Sequence, residues 1–323
     1  MIENLKLLFW NPNEKRLRAG YRIILAVILF FILYKGYLFI LKSAEVKLYY
    51  SDQTSLWVFL VAGTIRLIPA IIVLFLGGKF LDKRNIKDFG LILNRAWIVD
   101  LLFGLGLGAF LMLLIFLVEL GLGWISVSEF IHHRDSESSF LIPLMVFLFY
   151  IACQGAFEEL LFRGYTLKNL AEGFNSKKIG PKWAVIVAWL LISGIFGLGH
   201  LGNPDSNIIS TTNLLVIGII FGAGIVLTGR LAIPIGLHIS WNFFQGNIFG
   251  YPISGLTYPA NIVSIFKIDQ HGPELWTGGK FGPEAGLLGL FVCILGLILI
   301  FIWSSGKNKF RINTSVSIFK GSN

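Results

Sequence analysis

The chain has 323 residues, 55% of them hydrophobic and only 14% charged, with 29 Phe, 9 Trp and a mean hydropathy of +0.75. Soluble domains run near about 25% charged residues, and no polar block here is long enough to form one, so a soluble enzyme or binding module is excluded. The net charge of +9 is distributed as membrane topology distributes it, and no nucleic-acid partner is expected.

The first stretch, MIENLKLLFWNPNEKRLRAG, lacks a short apolar core ending in small residues, so no cleaved signal is expected. Apolar runs near the roughly 20 residues that cross about 30 Å of hydrocarbon fall at 21–41, 55–78, 97–120, 140–162, 183–201, 212–228, 231–249 and 284–303. They predict an all-α, polytopic transmembrane bundle of about eight helices. Three parts follow: residues 1–135 with the first three helices, residues 136–250 as a helical core, and residues 251–323 as an extended loop and a last transmembrane helix.

Several features between and within the runs have bland readings. Lys35 and Arg66 interrupt the first two runs and are expected to pair with lipid headgroups or with Asp100. The small-residue stretch GLGLG at 104–108 reads as close helix packing. HHRDSESS at 132–139 reads as a solvated loop rather than a metal loop, and Cys153 and Cys293 read as core residues. The connection 251–283, with Pro252, Pro259, Pro283 and many glycines, is longer than ordinary loops and is a candidate to fold back over a site.

Lys and Arg collect in cytoplasmic connections. Residues 1–20, 79–95 and 163–182, Arg230 and the tail after 303 hold 19 of the 27, whereas the alternate connections hold 5. Both termini are therefore expected in the cytoplasm, with 121–139 and 251–283 outside.

Three of the runs carry polar residues that need a task or a partner. Each charge at a helix centre costs roughly 2.5–3.5 kcal/mol on insertion scales, yet QGAFEELLFRG at 154–164 holds three. Glu159 and Arg163, four apart, stack on one helix face and can pair, whereas Glu158 is turned away by about 100°. Phe196 and His200 are four apart, as are His238 and Asn242. Counting from the turn at Gly180, Glu159 lies 21 residues back and His200 lies 20 forward, so a helical hairpin brings them to one depth. Hydropathy edges alone place Glu158 and His200 near opposite ends; the hairpin count is preferred. Together these side chains supply a base for water, imidazoles to move protons or bind a metal, and an amide donor for an oxyanion.

EELLFR, FGLGH and HISWN resemble, in order, the EExxxR, FxxxH and HxxxN motifs of the CPBP intramembrane proteases, also called the CAAX protease and bacteriocin-processing or Abi family. The resemblance covers about residues 140–250, and GYPISG followed by TGGKFGPEAG is similar to a tail found in some members. It implies an intramembrane endopeptidase acting on a membrane-associated or processed peptide or protein, in a multi-pass protein of the lipid bilayer, here the plasma membrane of a bacterium. By the same resemblance Glu158 and His200 would activate water, Glu159 and Arg163 would hold the helix and its charge balance, and His238 and Asn242 would donate to the oxyanion. Glu158, His200 and His238 could instead hold a catalytic zinc or another divalent metal, and both mechanisms stay open at this point. The competing reading is a non-catalytic membrane protein, either an immunity or scaffold protein or a transporter. No motif position is lost and no repeated halves are visible, which weighs against it.

Overall fold

A computed structural model describes residues 7–44, 55–134, 139–305 and 311–318. Most of the chain is helical. After a two-residue hairpin of β1 (Trp10–Asn11) and β2 (Arg16–Leu17), α1 spans Ala19–Ser43. Next come α2 (Leu56–Leu76), continued by a π turn over Gly77–Asp82, and α3 (Arg95–Gly121). Strand β3 (Ile125–His133) leads to α4 (Leu141–Glu158), which passes through a π segment (Glu159–Thr166) into α5 (Leu167–Phe174). Helices α6 (Gly180–Leu198), α7 (Ile208–Thr228) and α8 (Ala232–Phe243) follow, the last extended by a π turn over Phe244–Ile248. Strand β4 (Val263–Gln270) pairs antiparallel with β3, and α9 (Leu287–Ser305) closes the bundle.

Among the described residues, seven helical stretches are long and apolar enough to cross a membrane. The run at 231–249 is the exception. It forms a 12-residue helix and a five-residue π turn, and nearly all of its first ten side chains are buried by the helices around it. Glycines let it sit so centrally. A Cβ at Gly104 of α3 would lie 2.5 Å from the Ile233 carbonyl oxygen, and one at Gly236 of α8 would lie 2.4 Å from that of Leu101. Any larger residue would push these backbones apart, which is how small residues build helix contacts in lipid.

The run at 140–162 is also longer than its hydropathy, reaching Phe174 as one 34-residue helical stretch. The 121–139 connection is not simply a loop. His132 and His133 sit on β3, and His132 Nδ1 bonds Glu129 Oε2 at 2.8 Å while its Nε2 donates to the Asn261 carbonyl at 3.2 Å. The Glu129 carboxylate, bonded to His132, is held below the usual carboxylate range. Residues 135–138 of that connection lie outside the described residues.

Asp100 pairs with neither Lys35 nor Arg66. It takes Arg230 at 2.5 Å and Trp303 Nε1 at 3.1 Å, while Arg66 reaches Gln154 at 3.2 Å and Lys35 lies on the exposed side of α1. The three sequence parts share their cores: Leu111 from the first, Phe221 and Trp241 from the second, and Phe281 and Cys293 from the third pack in one cluster.

Both ends of the described chain lie at one end of the bundle. Arg16 bonds the Asp82 carbonyl, Asn313 N–H bonds the Val226 carbonyl at 2.8 Å, and Ser317 Oγ bonds the Pro181 carbonyl at 3.3 Å. At this end Glu172 accepts from Arg16, Arg22 and Arg84, and Asp82 pairs with Arg22 at 2.5 Å. Arg16, Arg22 and Asp82 are almost wholly buried, and the Arg84 and Glu172 side chains are only 3% and 6% exposed.

Candidate active site

The two adjacent glutamates stand in different surroundings. Glu158, the last residue of α4, keeps its side chain 19% exposed, whereas Glu159, the first of the π segment, is at 0%. Glu159 Oε1 accepts from Arg163 Nη1 at 3.0 Å and from His238 Nδ1 at 2.8 Å. Arg163, also fully buried, donates to the Gly218 carbonyl at 3.3 Å and lies 4.3 Å over the Phe196 ring. A π segment widens the helix locally, and such segments recur at functional positions. Here it carries the pair that fixes the histidine of a neighbouring helix.

His238 comes from α8, which packs against α4 at Gly155, where a Cβ would lie 3.2 Å from Ile239 Cγ1 and 3.5 Å from the His238 ring. Because Nδ1 bonds a carboxylate, which only accepts, Nδ1 carries the proton and Nε2 is the free nitrogen. Nε2 lies 3.9 Å from Glu158 Oε2. Asn242 follows one turn later on the same helix.

His200 sits in the turn after α6, beyond a hairpin whose arms face each other as the count from Gly180 requires: Phe162 and Arg163 meet Phe196. Its Nδ1 donates to the Phe196 carbonyl at 2.8 Å, which fixes the tautomer and leaves Nε2 as the accepting nitrogen.

Glu158, His200, His238 and Asn242 all line one cavity of about 760 Å³. Glu159 and Arg163 do not line it; they stand behind His238. Along the helix Glu158 is 14 residues from Glu172, about 21 Å at 1.5 Å per residue, so the cavity lies deep in the bundle. It reaches the end opposite the termini, where exposed Gly202 and Pro204 form part of its wall. Tyr34 and Leu38 of α1 and Arg66 of α2 line its side.

The loop after α8 does return to the cavity. Ile253, Ser254, Leu256 and Tyr258 line it, and so does Glu284, a 4%-exposed carboxylate absent from the motif reading. Burial pushes the Glu284 carboxyl above the ordinary range, against the bonds from Ser254 and the nearby His200 and His238, which pull it down. Its signal in the sequence is slight, a lone acid in the Gly- and Pro-rich TGGKFGPEAG. Glu119, likewise outside the motifs, is buried in α3 and accepts from Tyr251 Oη at 2.9 Å.

Glu158, His200 and His238, the three side chains that could hold an ion, all line the cavity. Among the described residues no three His, Cys, Asp or Glu side chains are grouped to hold an ion. The 3.9 Å separation of His238 Nε2 from Glu158 leaves the two able to share a water.

A lipid-embedded helical bundle with carboxylate, imidazole and amide on one water-accessible cavity has the chemistry of a membrane hydrolase. Residues 140–244 match the family model described as type II CAAX prenyl endopeptidase Rce1-like, and this stretch is a domain of that family. Over 130 residues the chain is 27% identical to the uncharacterized protein YyaK of Bacillus subtilis (strain 168), covering 37% of this chain and 41% of that one. The match thus spans about two fifths of that relative's length. No solved structure matches the chain.

Proposed function

We propose that the protein is an intramembrane endopeptidase that hydrolyses a peptide bond of a membrane-associated substrate with water activated by Glu158 and His200. The observation that carries this reading is the convergence of Glu158, His200, His238 and Asn242, from three separate helical arms, on one cavity. Glu158 takes a proton from water as the hydroxide oxygen bonds the scissile carbonyl carbon, and His200 Nε2 accepts the water's second hydrogen bond. Negative charge then develops on the carbonyl oxygen, where Asn242 Nδ2 and His238 Nε2 donate. For His238 to donate there the ring must be an imidazolium, a cation placed between Glu158 and Glu159. Collapse of the intermediate breaks the C–N bond, and the proton held by Glu158 passes to the leaving amine.

The end bearing the termini collects most of the Lys and Arg, and we place it in the cytoplasm. The cavity then opens on the other face, so the scissile bond arrives from that face or from the bilayer beside α1.

Comparison of peptide termini from cells carrying wild type and Glu158→Gln tests the function. Cleavage products present with wild type and absent with Glu158→Gln are expected. Identical terminal peptides in the two would reject the peptidase reading and favour a non-catalytic membrane role.

A further inference from the structure

Glu284 lies outside the matched domain, in a short turn over Pro283–Ala285 that leads into α9. Its bonds are lopsided. Ser254 N–H at 2.7 Å and Ser254 Oγ at 2.6 Å both donate to Oε2, while Oε1 accepts no bond among the described residues. A buried carboxylate that spends only one oxygen on the protein is costly to keep unless the other meets water or a ligand. The cavity that Glu284 lines supplies that side.

The same bonds tie Glu284 to a catalytic histidine. The Ser254 carbonyl accepts from Asn203 Nδ2 at 2.9 Å, and Asn203 N–H bonds the His200 carbonyl at 3.0 Å. Gly255 N–H bonds the Phe281 carbonyl at 2.8 Å, and Gly255 has a positive φ of 83° where a Cβ would collide with the Pro204 carbonyl at 2.1 Å. The His200 turn, the Ser254 strap and the Glu284 turn are therefore locked as one unit. Nothing in this unit needs a carboxylate for packing alone, since an amide of the same shape would accept the same two bonds.

We propose that Glu284 is a positioning residue of the hydrolytic site, anchoring the Ser254 strap against the His200 turn and presenting a carboxyl oxygen to His200 and His238 across the cavity. The inference rests on the endopeptidase reading above. The site so built has a third carboxyl, and the turn that leads into α9 completes a centre that the motif-bearing helices only begin. Titratable and charged groups that share the cavity with His200 are Glu158 and Tyr150 from α4, His238 from α8, Arg66 from α2, Tyr34 from α1, Tyr258 from the returning loop and Glu284 itself, with Glu159 and Arg163 behind His238.

The test uses full-length protein in liposomes and a peptide that wild type cleaves and Glu158→Gln does not. Values of kcat and KM are measured against pH for wild type, Glu284→Gln, Glu284→Asp and Ser254→Ala. Glu284→Gln keeps the two Ser254 bonds and loses the charge. It is expected to lower kcat by at least about tenfold, to move a limb of the pH profile and to leave KM within about twofold. Glu284→Asp should retain more kcat than Glu284→Gln, and Ser254→Ala should displace the same limb by less. A Glu284→Gln protein with wild-type kcat and an unmoved profile would overturn the inference while leaving the endopeptidase reading intact. Should Glu284→Gln fail to fold, an unmoved profile in Ser254→Ala would overturn it equally. A wild type that cleaves nothing removes both.

Discussion

Glu158 and Glu159 are neighbours in the chain, and helix geometry turns them about 100° apart, one into the cavity and one into the packed interior. Glu159 holds two groups at once, Arg163 and His238. Glu159→Gln therefore leaves a buried guanidinium without its counter-charge and removes the charge beside the His238 ring, and a broken buried pair typically costs about 3–5 kcal/mol. Thermal unfolding in detergent should show a markedly lower midpoint, with cleavage reduced even where the fold survives; an unchanged midpoint would argue against the pairing. Chelation is expected to leave cleavage unaffected, because the candidate ligands form no metal set; activity lost to a chelator and restored by zinc would contradict this. The i,i+4 spacings made Glu159–Arg163 and His238–Asn242 legible in the sequence. Two things were not. The second partner of Glu159 comes from 79 residues away, and Glu284 has no periodicity to mark it, since its place depends on a loop closing across the cavity.

Helices α4 to α8 position the site, and their limits show what hydropathy reads and what it misses. Arg163, Lys168, Lys177 and Lys178 made the end of α4 look like a cytoplasmic connection, yet Arg163 is buried by its partners and the helical stretch runs on to Phe174. Run 231–249 looked like another span, but its helix is only 12 residues long and nearly all of its first ten side chains are covered by neighbouring helices rather than by lipid. The β3–β4 pair joins residues more than 120 apart in the chain, from Ile125 with Gln270 to His133 with Val263, so no local pattern discloses it. The cluster at the terminal end yields a prediction at this scale. Glu172 alone receives three arginines, from the β2 hairpin, α1 and the segment after α2. Glu172→Ala should strip all three and lower the unfolding midpoint more than Lys178→Ala, an exposed change on the adjoining turn; equal midpoints would mean the cluster carries no stability.

For the molecule as a whole, orientation follows from charge and the site follows from convergence, and each can be measured separately. Gly202 is exposed at the cavity mouth with nothing within 4 Å of a built Cβ, and Lys178 is exposed at the opposite end. In a background without Cys153 and Cys293, a membrane-impermeant thiol reagent applied to intact cells should label Gly202→Cys and spare Lys178→Cys until the membrane is opened. The reverse pattern would invert the topology and turn the cavity toward the cytoplasm. That the bundle is polytopic was legible from the apolar runs, because crossing lipid requires long uninterrupted helices. That its middle holds this cavity was not, because the walls come from α1, α2, α4, α6, α7, α8 and the returning loop together. The most direct measurement of the central claim is the rate at which purified protein in liposomes cleaves a peptide found by comparing cellular termini. Wild type should turn it over, and folded Glu158→Gln should fall by about 10²–10⁴-fold, the usual worth of a positioned general base. A folded Glu158→Gln protein that cleaves at the wild-type rate would contradict the account.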